Sequence, residues 1–254
     1  MSKIIAVFNQ AGGVAKTTLT MNLGYQLAQR GHRVLLVDID PQASLTTFMG
    51  LESYDLEHII ADVLLDEDLL LEPAIHHNLH GMDLVPANLN LSAVELQLAS
   101  VMAREIRLKQ ALVTAQSNYD FILIDCPPSL GILSILGLTA ATHVLVPVQT
   151  HFKAFKGVEL LLDTVKKVRK RVNPDLAIAG FIPTLYSNAS QDRQILTALQ
   201  TQVSTLATVF PPIPRATAFA DAAMSLQPLA VYNRSHPAVA ILETIAEGLE
   251  ELHG

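Results

Sequence analysis

Residues 4–8 read Ile-Ile-Ala-Val-Phe, and the next ten read Asn-Gln-Ala-Gly-Gly-Val-Ala-Lys-Thr-Thr before a helical pattern takes over. An apolar strand that turns through glycines into a helix opening on Lys-Thr-Thr is the setting of a phosphate-binding loop. Gly12 and Gly13 lack Cβ atoms, so Ala11, Gly12, Gly13, Val14 and Ala15 can wrap tightly and aim N–H groups at phosphate oxygens. The helix N-terminus, with Thr18 in its first turn, adds a partial positive charge. Lys16 brings a full charge toward the β- and γ-phosphates, and the Thr17 hydroxyl is placed to ligate Mg²⁺. The loop departs from G-x-x-x-x-G-K-[ST] at both outer positions, where Gln10 and Ala15 stand. Taken alone it is compatible with a Gly-Gly turn that merely caps a helix.

Two later segments weigh against that plainer reading. Val34-Leu-Leu-Val-Asp38-Ile-Asp40-Pro-Gln42 is a four-residue apolar run with two acids at its end. Phe121-Ile-Leu-Ile-Asp125-Cys126-Pro-Pro repeats the shape with one acid, as a Walker B element does. Carboxylates at the carboxyl ends of parallel strands project into the crevice where doubly wound sheets bind ligands. An isolated Asp there would be a strand-end turn or a helix cap. Acids on both strands, in this order behind the loop, point to Mg²⁺-dependent nucleoside triphosphate chemistry.

The rest of the chain fits one α/β domain spanning residues 1–254, doubly wound, with a mainly parallel sheet and helices on both faces. Strands are predicted at 3–8, 33–38, 82–86, 121–125, 143–148 and 176–182, with a short one near Val209. Helices are predicted at 17–29, 92–116, 132–140, 155–171, 191–203 and 238–252, and 51–71 reads as a short helix and loop. A composition 50% hydrophobic and 16% charged suits a sheet covered on both faces. The absence of a leader or a long apolar span, together with a single cysteine, leads to the expectation of a cytosolic protein. Cys126 reads as a small buried side chain, and His76, His77 and His80 as loop residues rather than a metal site.

The Gly-Gly-x-x-Lys-Thr-Thr loop, the Asp-x-Asp-Pro-Gln strand end and the Ile-Asp-x-Pro-Pro strand end together resemble the deviant Walker ATPases, the ParA and MinD positioning proteins. The likeness continues through Val146-Pro-Val-Gln149 and Ile213-Pro214-Arg215, so it covers essentially the whole chain. Asp-Pro-Gln and Pro-Arg favour ParA over MinD. Most members carry a signature lysine where this chain has Ala11, and a glycine where it has Ala15. That loop resembles the carboxysome-positioning branch called McdA. The resemblance implies an ATPase that forms an ATP-sandwiched homodimer. Asp40 would help position the attacking water, Asp38 would lie near Lys16 and the Mg²⁺ shell, and Asp125 would act on Mg²⁺. Gln42, Pro214 and Arg215 would lie along the nucleotide. Because the signature lysine reaches the partner's nucleotide, its loss calls for a substitute amine. Lys153 is the first choice and Lys156 the second, with a pair of solvated helix-start residues as the competing reading.

Residues 166–171 place five bases (Lys166, Lys167, Arg169, Lys170 and Arg171) in a chain with a net charge of −7. Such a concentration suggests sequence-nonspecific contact with DNA phosphates, with Arg193 a weaker candidate. Bases that simply complement a helix C-terminus are the alternative. Three function classes follow. The first is a nucleoid-bound ATPase that moves a cargo through a ParB-like or McdB-like adaptor. The second is a MinD-like membrane switch, disfavoured by an acidic C-terminus bearing Glu243, Glu247, Glu250 and Glu251. The third is a metabolic P-loop ligase.

Overall fold

The computed structural model describes residues 2–52, 54–150, 154–203 and 205–253, with the side chains of 154–156 left outside the description. Its centre is a seven-stranded sheet in the order β3-β4-β2-β5-β1-β6-β7. The strands are β1 (Lys3–Val7), β2 (Val34–Asp38), β3 (His76–Leu79), β4 (Met82–Val85), β5 (Phe121–Asp125), β6 (His143–Gln149) and β7 (Ala177–Thr184). All neighbours run parallel except β3, which pairs antiparallel with β4 at the edge.

Alternation along the strands explains the two layers. Ile4, Ala6 and Phe8 enter one core cluster, while Ile5 and Val7 enter the other. On the first face pack α3 (Ile60–Leu65), α4 (Leu91–Gln97), α5 (Arg107–Ala111), α6 (Ile132–Ala140), α7 (Ala154–Arg171) and α8 (Ser190–Val203). On the second pack α1 (Lys16–Gln29), α2 (Ser44–Phe48), α9 (Ala218–Met224), α10 (Leu229–Tyr232) and α11 (Pro237–Glu250). With both faces covered, the inner strands have no solvent side and read as continuous apolar runs. Helix α1 lies close to the sheet at Gly24, where a Cβ would meet Leu36 Cδ2 at 2.7 Å.

The expected single helix over 92–116 is instead α4, α5 and short 3₁₀ turns between and after them. Ala103 at φ 54° interrupts the run, a left-handed turn that an α-helix cannot include. The histidine segment expected as loop supplies edge strand β3, and Val209 forms an isolated bridge to Phe181 rather than a strand. No helix among the described residues is long and apolar enough to cross a membrane.

Candidate nucleotide site

Register brings the site together. β5 lies between β1 and β2, with Asp125 paired to Val7 on one side and to Asp38 on the other. The loop leaving β1 therefore passes over two carboxylates at the carboxyl edge of the sheet, the position where such folds take ligands. Asn9, which the sequence reading did not single out, anchors that loop. Its Nδ2 donates to Pro147 O of β6 at 2.7 Å, and its Oδ1 accepts from Ala11 N at 2.9 Å. An Asn just after an apolar strand is the signal that could have revealed it. From the opposite side, Thr184 Oγ1 donates to Val14 O at 3.2 Å.

Past Ala11 the backbone is left open. The N–H groups of Gly12, Gly13, Val14, Ala15, Lys16, Thr17 and Thr18 meet no acceptor among the described residues. Gly13 at φ 71° and Ala15 at φ 68° turn the chain so that these donors precede and open α1. Lys16 Nζ folds back on Ala11 O at 3.1 Å, and only 7% of this residue is exposed. Burial lowers its pKa, against the opposing charges of Asp125 and Asp40.

Thr17 Oγ1 donates to Asp125 Oδ2 at 2.7 Å, and Thr20 Oγ1 reaches Asp125 Oδ1 at 3.4 Å. Asp125 is fully buried, and burial followed by the neighbouring Asp38 charge raises its pKa well above the usual carboxylate range. Burial likewise pushes Asp38 up to about 6. Asp38, beside Asp125 in register, has its carboxylate held by the backbone and side chain that follow it. Its Oδ2 accepts from Thr46 N at 2.9 Å and Thr46 Oγ1 at 2.8 Å, and its Oδ1 from Asp40 N at 3.0 Å. Asp40 keeps 9% exposure, and its Oδ1 accepts from Gln42 N at 2.9 Å, while the Gln42 side chain is exposed.

Pro214 and Arg215 run beside the continuation of β7. Pro214 bridges Tyr186, Arg215 N donates to Tyr186 O at 2.9 Å, and the Arg215 side chain is exposed. Lys153 lies outside the described residues, as does the side chain of Lys156, whose backbone belongs to α7. The five bases of α7 are all exposed at the end of the helix that leads into β7, so they sit at the amino edge of the sheet, opposite the loop. Arg169 is partly committed, since its Nε donates to Leu176 O. Arg193 Nη1 donates to Asn188 O at 2.6 Å at the start of α8.

The donor set fits a magnesium-bound polyphosphate. A run of unpaired N–H groups at a helix N-terminus is made for anionic oxygens. No group of three or more His, Cys, Asp or Glu side chains among the described residues is arranged to hold a metal ion. Mg²⁺ commonly takes one or two protein oxygens, phosphates and waters, which the Thr17–Asp125 pair can provide.

The comparisons with known proteins agree with this geometry. Sporulation initiation inhibitor protein Soj of Bacillus subtilis is 46% identical over 185 residues, 73% of each chain. Chromosome partitioning protein ParA of Caulobacter vibrioides is 41% identical over 186 residues, covering 72% of this chain and 70% of that one. Among solved structures, cobyrinic acid a,c-diamide synthase from Mycobacterium smegmatis with bound ADP and magnesium has a TM-score of 0.81 at 40% identity, covering 89% of this chain and 91% of that one. Apo McdA from Cyanothece has a TM-score of 0.87 at 25% identity and covers 99% of both chains. Residues 2–178 match the AAA domain family, so the chain belongs to that family and, within it, to the ParA/MinD ATPases.

Proposed function

We propose that this ATPase is a ParA-type positioning protein. In this reading it pairs with a second copy on ATP, binds nucleoid DNA without sequence preference, and moves a cargo through an adaptor that stimulates hydrolysis. The observation that carries the nucleotide half is the run of open N–H groups from Gly12 to Thr18 together with the Thr17–Asp125 pair. Those groups and Lys16 bind the phosphates and stabilise charge that develops on the transferred group. Thr17 and Asp125 hold Mg²⁺, which supplies further charge neutralisation when bound. Asp40 orients the attacking water, while Gln42, Pro214 and Arg215 border the nucleoside. Lys153, with Lys156 behind it, supplies the amine missing at position 11.

Lys166, Lys167, Lys170 and Arg171, with smaller parts for Arg169 and Arg193, would meet DNA phosphates. Pairing joins two such patches in one particle, and avidity rises through effective concentration. Carboxysomes with an McdB-like adaptor are the favoured cargo on the strength of Ala11, Ala15 and the likeness to McdA. The identity with Soj supports chromosome or plasmid partition with a ParB-like adaptor as the alternative. The likeness to a chain named as a diamide synthase favours a second reading, an ATP-dependent amide ligase.

A salt-titrated DNA-binding assay with ATP, ADP and no nucleotide separates the positioning reading from the ligase reading. Binding that needs ATP and weakens with salt supports the positioning reading, and indifference to nucleotide counts against it. In the same assay Lys153→Ala should abolish ATP-dependent pairing, seen as loss of the dimer by light scattering, with monomer nucleotide binding kept.

A further inference from the structure

One buried side chain ties the Asp38–Asp40 corner of the site to the rest of the sheet. Thr46, on α2, is fully buried. Its hydroxyl donates to Asp38 Oδ2 at 2.8 Å and accepts from Ala87 N at 2.9 Å, just past the end of β4. Its own N–H donates to the same Asp38 oxygen at 2.9 Å. The other oxygen of Asp38 accepts from Asp40 N at 3.0 Å, and Ala43 N donates to Asp40 O at 2.8 Å. The chain from 38 to 46 is thereby folded into a closed turn with the Asp38 carboxylate as its hub. Asp40 sits on that turn with its backbone held at both N–H and C=O.

A buried hydroxyl satisfied both as donor and acceptor has a fixed orientation. Removing it leaves the Ala87 N–H unpaired and takes a donor from a carboxylate in a dry setting, so the turn must relax. Relaxation there displaces Asp40 first, because Asp40 N hangs on the same carboxylate.

We infer that Thr46 is a positioning residue for ATP hydrolysis, acting through Asp38 to hold the Asp40 carboxylate where the attacking water must sit. The inference rests on the proposed role of Asp40, and the test separates the two. Thr46→Val keeps the shape and removes the hydroxyl, and Thr46→Ser keeps the hydroxyl. Steady-state kcat and KM for ATP are measured together with ADP affinity. Thr46→Val should lower kcat about tenfold to hundredfold, as expected of a small misplacement of a reacting group, with KM and ADP affinity within about twofold. Thr46→Ser should return kcat to within about threefold of the parent. In an Asp40→Ala background, Thr46→Val should cost nothing more, because a residue that works through Asp40 has nothing left to position.

Equal losses in kcat and ADP affinity, an undiminished loss in the Asp40→Ala background, or no rescue by serine would make Thr46 a purely structural residue and overturn the inference. Failure of Thr46→Val to fold while Thr46→Ser folds with low kcat would do the same. Normal turnover by Asp40→Ala alone would remove the role of Asp40 and this inference with it. Normal turnover by Thr46→Val beside an inactive Asp40→Ala would remove only the inference.

Discussion

The two edges of one sheet handle charge in opposite ways. At the amino edge, Arg30 grips Glu250 through Nε at 2.7 Å and Nη2 at 2.8 Å, His32 Nε2 meets the same carboxylate at 2.7 Å, and Arg33 pairs with Asp120 at 2.9 Å. These pairs are partly exposed, and their hydrogen bonds hold Glu250 and Asp120 each down to about 2. At the carboxyl edge, Asp38 and Asp125 lie buried on neighbouring strands and are driven upward, and Lys16, the close cation among the described residues, is driven downward. Glu250 and Asp120 at the amino edge are each matched by a cation. Among the described residues the carboxyl edge has two buried acids, one close cation and a run of open N–H donors, an arrangement suited to magnesium and polyphosphate. Perturbed buried acids beneath such donors mark a candidate functional site.

The sharpest way to break the contrast is to remove a carboxylate from the carboxyl edge. Asp125→Asn deletes a buried charge beside Asp38 yet leaves an oxygen for the Thr17 hydroxyl. The unliganded protein should melt at a higher temperature at neutral pH, while Mg²⁺-dependent hydrolysis falls about tenfold to hundredfold, the scale expected if Asp125 acts on the metal as proposed. Calorimetry of the apo protein and steady-state turnover check the two halves. A variant losing both stability and activity would mean that the folded edge needs the Asp125 carboxylate as a structural anchor.

The pH dependence of stability should carry both signatures. Asp38 is raised in the folded state, so the native protein binds more protons than the unfolded chain between about pH 4 and about pH 6. Stability therefore falls as pH rises through that window, and Asp125 adds to the fall. Glu250 and Asp120 are lowered, so their contribution is present above the ordinary carboxylate range and is lost as pH drops toward about 2. Urea unfolding across pH should show a maximum where the two limbs meet. Glu250→Gln should flatten only the acid limb, lower the melting temperature by a few degrees at most, and leave turnover intact, because exposed pairs are weak and salt-screened. Saturating Mg²⁺ and nucleotide should flatten only the upper limb.

Much of the site was legible because it is local in sequence. The loop, its lysine and threonines, and the acids that end β2 and β5 each announce themselves beside an apolar run. Register then makes neighbours of Asp38 and Asp125, which sequence order alone does not disclose. The contacts that escaped reading are those between side chains and distant backbone, such as Asn9 with Pro147 and Thr46 with Ala87. A threonine that bonds across two loops looks like any other threonine in a helix. The broken helix at 92–116 was misread for a related reason. Its apolar spacing is helical, but nothing in the residues of Ala103 marks a left-handed turn.

The smallest contrast lies in the backbone, at the two ends of α1. Both ends need a positive φ, 68° before the helix and 91° after it. At the amino edge of the sheet the residue is Gly31, for which this conformation is unstrained, and a Cβ there would meet nothing within 4 Å. At the carboxyl edge it is Ala15, and Ala43 repeats the pattern at φ 51° before α2. A left-handed alanine costs about 1 kcal/mol, partly offset because glycine loses more entropy on folding. Ala15→Gly should therefore stabilise the apo protein by roughly 0.5 kcal/mol, and Gly31→Ala should destabilise it by about as much as the strain it introduces, near 1 kcal/mol. Urea midpoints with unchanged slopes would show both effects as changes in stability alone. Should Ala15→Gly instead lower stability, the methyl group must make packing contacts in the loop that outweigh its strain. The left-handed alanines would then belong to the scaffold, and the contrast between the two edges would be one of charge alone.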